Sequence, residues 1–173
     1  MKDIRYICFS VITEQSRMVE AEQFPNGDFE DESYDYTALW WDDREYLTLE
    51  VEDEGNGNRV LHASNIAAGD CLYAKVDLKA GKTYTISFDV KTSTTANVRD
   101  YHLWGGTVDP WELVEDWNRI TTSWETHTYK YTPSAEKNVL VIQNPNAGDL
   151  YIDNFSVTTE QPMMVAVENS TNG

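Results

Sequence analysis

The run Cys71 to Thr92, CLYAKVDLKAGKTYTISFDVKT, constrains the fold more than any other stretch. Leu72, Ala74, Val76 and Leu78 alternate with Tyr73, Lys75 and Asp77. Tyr84, Ile86, Phe88 and Val90 alternate with Thr85, Ser87, Asp89 and Lys91. A period of two puts each apolar set on one face of a strand. Ala80-Gly81-Lys82 supplies a tight turn, with Gly81 able to take a positive φ, so the segment reads as a central hairpin. Two long alternating strands demand a packed core on one side only, which is the pattern of antiparallel sheets in a sandwich.

Shorter strands punctuated by turns fill the rest. Arg5 to Thr13 reads as one possible strand, followed by a polar connector and the turn Pro25-Asn26-Gly27-Asp28. Residues 33 to 45 read as a loop that mixes Tyr34, Tyr36, Trp40 and Trp41 with Asp35, Asp42 and Asp43. Tyr46 to Glu52 alternates, Glu54 to Asn58 turns, and Arg59 to Ser64 returns. Asn97 to Trp104 precedes Gly105-Gly106, and Asp109-Pro110-Trp111-Glu112 carries the signature of a capped helical turn. Trp124 to Thr132, Asn138 to Asn144 and Leu150 to Thr158 complete the set. Eight or nine short strands with no repeat predict an all-β fold of two packed antiparallel sheets.

The 173 residues suffice for one domain with a sizeable core. The predicted organisation is an N-terminal extension or linker over 1–24, the β-sandwich over 25–158 and a C-terminal linker over 159–173. Thirteen basic residues against 30 acidic ones give a net charge of −17, which repels nucleic acid and anionic membranes and suits a neutral ligand or a cation. No apolar run approaches the roughly 20 residues of a membrane-spanning helix. The opening MKDIRYICFSVITEQ lacks the longer core and the small-residue cleavage site of a signal peptide, so it reads as a piece cut from a longer chain. Cys8 and Cys71 leave a disulfide open. Six Trp and ten Tyr exceed what one small core needs, so some rings are expected to face solvent or a ligand.

Several segments, taken in order, resemble the carbohydrate-binding modules of families 4, 9 and 22. These are Asn26-Gly27-Asp28-Phe29-Glu30, Asn58-Arg59-Val60-Leu61, Leu78 to Phe88, Trp124 ahead of a strand, and Tyr151-Ile152-Asp153-Asn154-Phe155. The resemblance spans about residues 25 to 158 and is more specific for the fold than for the sugar. It implies a two-sheet jelly roll with a glycan chain in a cleft on one sheet. It also implies attachment to a xylanase or another plant-polysaccharide hydrolase, in a secreted, periplasmic or cell-surface setting, as a monomer. A structural calcium is implied too, joining the NGDFE segment to the aspartate of the last strand. Its candidate ligands are Glu30 and Asp153 through carboxylates and Asp28 through its carbonyl, with Glu52 from the neighbouring turn. Calcium needs six to eight hard oxygens, several of them charged, so these acids must meet. The competing reading is a solvated acidic face.

Glycan binding needs flat rings onto which a pyranose can stack. About 100 Å² of apolar contact at ~25 cal/mol/Å² gives roughly 2.5 kcal/mol per ring. Two or three such platforms, less the association cost, predict dissociation constants of about 10 to 100 μM. Strand parity takes Tyr73 out of the core, and Lys75 shares its face. On Asn97 to Trp104, one phase turns Tyr101 and Leu103 inward and leaves His102 and Trp104 on the outer face. The other phase exposes Arg99 and Tyr101, and a bulge would exchange the two. On Asn138 to Asn144, Leu140 and Ile142 point inward while Val139, Val141 and Gln143 point out. Trp40, Trp41 and Trp111 sit where they can rim the cleft. Trp124, Tyr129 and Tyr131 read as core. His62, His102 and His127 show no metal spacing.

Two other readings compete with a non-catalytic module for xylan or a related β-1,4-glycan. A glycoside hydrolase needs two carboxylates at a defined separation, for which Asp100 with Glu112 or Asp116 would serve. A protein-interaction or adhesion sandwich would use the same fold with an apolar patch in place of a polar groove.

Overall fold

A computed structural model describes residues 19–22, 24–42, 47–93, 99–106, 111–143 and 148–161 of the chain. Among them are eleven strands. In chain order they are β1 (Val19–Glu22), β2 (Trp40–Asp42), β3 (Thr48–Asp53), β4 (Arg59–Ser64), β5 (Cys71–Leu78) and β6 (Tyr84–Thr92). There follow β7 (Arg99–Gly106), β8 (Glu112–Ile120), β9 (Glu125–Tyr131), β10 (Lys137–Gln143) and β11 (Leu150–Gln161). One turn of 3₁₀ helix, Tyr36–Ala38, is capped by the Asp35 side chain.

The strands form two antiparallel sheets, as the alternation predicts. The first runs β3-β4-β11-β6-β9, with β1 added alongside β11, and the second runs β2-β5-β10-β7-β8. Leu72, Ala74, Val76 and Leu78 of β5 and Tyr84, Ile86, Phe88 and Val90 of β6 are buried between the layers. Both strands therefore use the predicted faces, and the fold is an all-β sandwich.

The link between β5 and β6 differs from the expected hairpin. The two strands lie in different sheets and do not pair. The turn itself is as expected, with Gly81 at φ 72°, but it crosses the core. The reason lies in what each strand needs to cover. Each buries its apolar face in the core from its own sheet, so the turn carries the chain from one layer to the other. The arch is fixed by the Gly81 amide donating to the Pro133 carbonyl (2.8 Å) and by the Lys79 amide donating to the Tyr84 hydroxyl (2.8 Å). A true hairpin lies between β3 and β4, where Asp53 Oδ1 accepts from the Gly55 and Gly57 amides.

The sheet extends past residues 25–158 at both ends. β1 pairs with the last residues of β11 from Val19↔Gln161 to Glu22↔Thr158, and Phe24 is buried against Phe155 and Trp40. Glu112 is a second correction, while Asp109 and Pro110 lie outside the described residues. Glu112 starts β8 rather than completing a helical cap, and its carboxylate is taken up by Ser134 and Lys137. Arg5 to Thr13, Cys8 and Met163 to Val167 lie outside the described residues.

Candidate functional site

The outer face of the second sheet gathers rings into rows because register neighbours share a face. Trp41 pairs with Tyr73, Tyr73 with Val141, Val141 with Trp104 and Trp104 with Leu113. This row crosses the sheet from β2 to β8. On one side of it lies the Cys71–Gln143 pair, and on the other Lys75–Val139–Gly106. A cavity of about 300 Å³ is lined by Cys71, Tyr73, Trp104, Trp111, Val141 and Gln143. None of these lining side chains is charged, and Gln143 supplies a donor and an acceptor on one wall.

The rings are ordered among themselves. Trp41 is stacked on Tyr73 with centroids 5.4 Å apart and planes 11° apart. Trp111 stands 6.4 Å from Tyr73 at 55°. The large apolar side chains that remain exposed among the described residues are Trp41 (40%), Trp111 (41%) and Leu113 (43%). Trp111 lines this cavity, Trp41 is stacked on its Tyr73, and Leu113 is the register partner of its Trp104. Leu113 was not singled out in the sequence, where it stands beside Val114 between Glu112 and Glu115.

The predicted binding residues divide as follows. Tyr73, Trp104, Trp111 and Gln143 line the cavity, and Trp41 extends it. Lys75 is exposed on the same face one row away, outside the lining. Leu103 is buried and Trp104 half-buried, so β7 has the phase that puts Trp104 outside. The side chains of Arg99, Tyr101 and His102 lie outside the described residues. Val139 and Val141 lie on the outer face as predicted, yet both are buried.

Two rings depart from expectation. Trp40 does not rim the cleft. It is 1% exposed, packed edge-on to Phe24 (5.6 Å) and Phe155 (4.9 Å). Its neighbour Trp41 faces out because Trp40 and Trp41 are successive residues of a strand. Trp124 does not join the core, whereas Tyr129 and Tyr131 do. Trp124 sits half-buried on the far face of the first sheet. There its Nε1 donates to Glu54 (3.1 Å), and the Lys91 ammonium lies 4.7 Å from its ring and 4.9 Å from that of Tyr151. Lys91 also forms an ion pair with Glu54.

The acids expected to hold calcium are only partly together. Asp153 is buried, and it accepts from Asn58 Nδ2 (3.2 Å) and from the Asn154 amide (2.7 Å). Burial, with the negative charges of Asp89 and Glu30, pushes its carboxyl above the usual range despite those two bonds. Glu30 accepts from the Arg59 amide (2.9 Å), and Asp28 Oδ1 accepts from the Glu30 amide (3.4 Å). Glu52 is elsewhere, with its carboxylate 3.1 Å from Nδ1 of His62. No group of three or more His, Cys, Asp or Glu among the described residues is arranged to hold a metal. Of the expected ligands, Glu30 lies close enough to Asp153 for its charge to bear on the Asp153 carboxyl, while Glu52 stands apart. A buried carboxylate repelled by its neighbours is a setting that a hard cation would relieve.

The profile of a family described as carbohydrate binding domain, CBM_4_9, matches residues 21–148. No curated protein sequence matches. Among solved structures, the chain is similar to the CBM22-1–GH10 modules of Clostridium thermocellum endo-1,4-beta-D-xylanase 10B, solved with xylohexaose. That likeness has TM-score 0.61 and 19% identity over 84% of this chain and 29% of that one. The CBM22-1 xylan-binding domain of Paenibacillus barcinonensis Xyn10C gives TM-score 0.61 and 14% identity over 86% and 97%. A CBM4 structure gives 0.51 and 25% over 79% and 98%. The chain thus spans less than a third of the xylanase structure and nearly all of the two isolated modules. At such identities the xylanase and Xyn10C likenesses speak for the fold.

Proposed function

The chain belongs to the carbohydrate binding domain family CBM_4_9, and from that premise we propose that its cleft binds single chains of a β-1,4-linked plant polysaccharide, xylan foremost. One observation carries the reading. Trp111, one of the large apolar side chains left in solvent, lines one uncharged cavity with Tyr73 and Trp104, and exposed Trp41 is stacked on Tyr73 beside it. Apolar rings beside an amide match a pyranose, which has a C–H face and a hydroxyl rim. The absence of charge on the described lining suits a neutral glycan. The net charge of −17 further disfavours polyanions.

On this reading the module is non-catalytic and holds an attached glycoside hydrolase, such as a family 10 xylanase, near its substrate. Its setting is outside the cytoplasm, and it acts as a monomer. The xylan-binding neighbours in fold support the choice of xylan. A calcium ion held by Glu30, Asp153 and the Asp28 carbonyl would tie the N-terminal turn to β11 and do no chemistry on the glycan. Glu112, proposed above as one of a catalytic pair, already has its carboxylate held by Ser134 and Lys137.

Affinity electrophoresis tests the reading. Oat-spelt xylan in the gel should retard the protein, and Trp104→Ala should weaken the retardation. Unchanged mobility in xylan, β-glucan and soluble cellulose derivatives would overturn it.

A further inference from the structure

Gly105 and Gly106 end β7 with neither in the left-handed region, so space rather than backbone freedom calls for glycine there. They point to opposite faces. A Cβ on Gly105 would meet the Tyr131 hydroxyl at 2.5 Å inside the sandwich. A Cβ on Gly106 would come within 3.0 Å of three carbons of the Trp111 ring on the outside. The indole therefore rests against the bare Cα of Gly106.

The next residue anchors that ring. Glu112 Oε2 accepts from the Ser134 amide (3.2 Å) and hydroxyl (3.0 Å). It also lies 3.4 Å from Nζ of Lys137, whose side chain is 1% exposed. Trp111 thus leaves the strand one residue from a closed ion pair. Its ring crosses from Gly106 on β7 towards Tyr73 on β5.

We propose that Gly106 is a positioning residue for the cleft: it is the seat of Trp111, and the Glu112 clamp holds the ring there as a fixed wall. This rests on the cleft being the glycan site. A ring already held in place loses little freedom when a sugar packs on it, so its contact area is realised as affinity. Any side chain at position 106 pushes the wall off its seat and into the channel.

The test has a ligand-free arm and a ligand arm. In the proton spectrum of the wild type, the Gly106 Hα resonances should be shifted upfield by the indole ring current. Trp111→Ala should remove that shift, and Glu112→Gln should reduce it. A Gly106 Hα at its ordinary position overturns the proposal whatever the protein binds. In titrations with xylohexaose and cellohexaose, Gly106→Ala should weaken binding at least about tenfold, a large part of the roughly 70-fold that one whole platform is worth. In a Trp111→Ala background the same change should cost nothing further. Wild-type affinity in Gly106→Ala, or an undiminished effect in that background, overturns the proposal and leaves the cleft reading intact. If the wild type binds neither sugar, the cleft reading falls and the ring-current shift alone decides the seat. If Gly106→Ala does not fold, the reduced shift in Glu112→Gln and its weaker binding decide.

Discussion

The Trp41 and Tyr73 rings lie 5.4 Å apart and 11° from parallel, on adjacent strands in direct register. Trp41 covers one side of Tyr73 and presents its own far face to solvent. Trp41→Ala should therefore remove a sugar platform and lower xylohexaose affinity by up to about 70-fold. The stacked pair itself contributes about 1 kcal/mol to folding. Titration calorimetry and denaturant unfolding separate the two, and an affinity that does not move would remove Trp41 from the site.

Trp124 gives the opposite expectation. It lies on the other sheet, tied to Lys91 and Glu54. Trp124→Ala should leave glycan affinity unchanged and cost about 1 kcal/mol of stability through the lost cation–π contact. A loss of binding would show that the far face takes part.

Asp153 makes stability depend on pH. Its carboxyl is raised above the usual value, first by burial and then by Asp89 and Glu30. The folded state therefore binds this proton more tightly than the unfolded chain does. Its contribution is complete below the ordinary carboxylate value and is lost as pH rises through the raised one. In EDTA, the unfolding midpoint should fall across that window, and Asp153→Asn should remove the slope. Calcium favours the ionised form, so its stabilising effect should grow over the same window. At about 100 times its dissociation constant the gain would be ~2.7 kcal/mol. A midpoint indifferent to calcium at every pH would dispose of the proposed metal.

Gly27 is held by its neighbour rather than by its own conformation. Its carbonyl accepts from the Phe155 amide (2.8 Å), and a Cβ there would overlap the Phe155 carbonyl oxygen. Gly27→Ala should cost about 3 kcal/mol, the upper end for overpacking. Thermal unfolding checks this, and a shift of a few tenths of a kcal/mol would mean that the turn relaxes freely.

What the sequence disclosed was whatever alternation could carry. The phases of β5, β6 and β10, and the outward turn of Tyr73, follow from a period of two, whereas Asn97 to Trp104 leaves both phases open and the burial of Leu103 decides between them. Alternation does not say which strand lies beside which, so the β5–β6 arch looked like a hairpin. Trp40 and Trp41 sit in a strand of three residues, too short for the period to show among the surrounding acids. Trp124 and Glu112 were misplaced for a different reason. Each is fixed by partners distant in the chain: Lys91 and Glu54 for the first, Ser134 and Lys137 for the second. Local spacing holds no trace of such pairs. The double glycine at 105–106 read as a break, although both residues are strand positions kept bare by Tyr131 and Trp111.

Val19 and Gln161 meet at the outermost rung of the β1–β11 ladder. The flanking chain thus enters and leaves at one point, and tension applied through both flanks opens that ladder like a zip, one hydrogen-bonded pair at a time. Tension between one flank and a gripped polysaccharide instead crosses from one sheet to the other through the packed aromatic interior. Such a body is frail when stretched between its own two tethers and tough when it drags on what it holds.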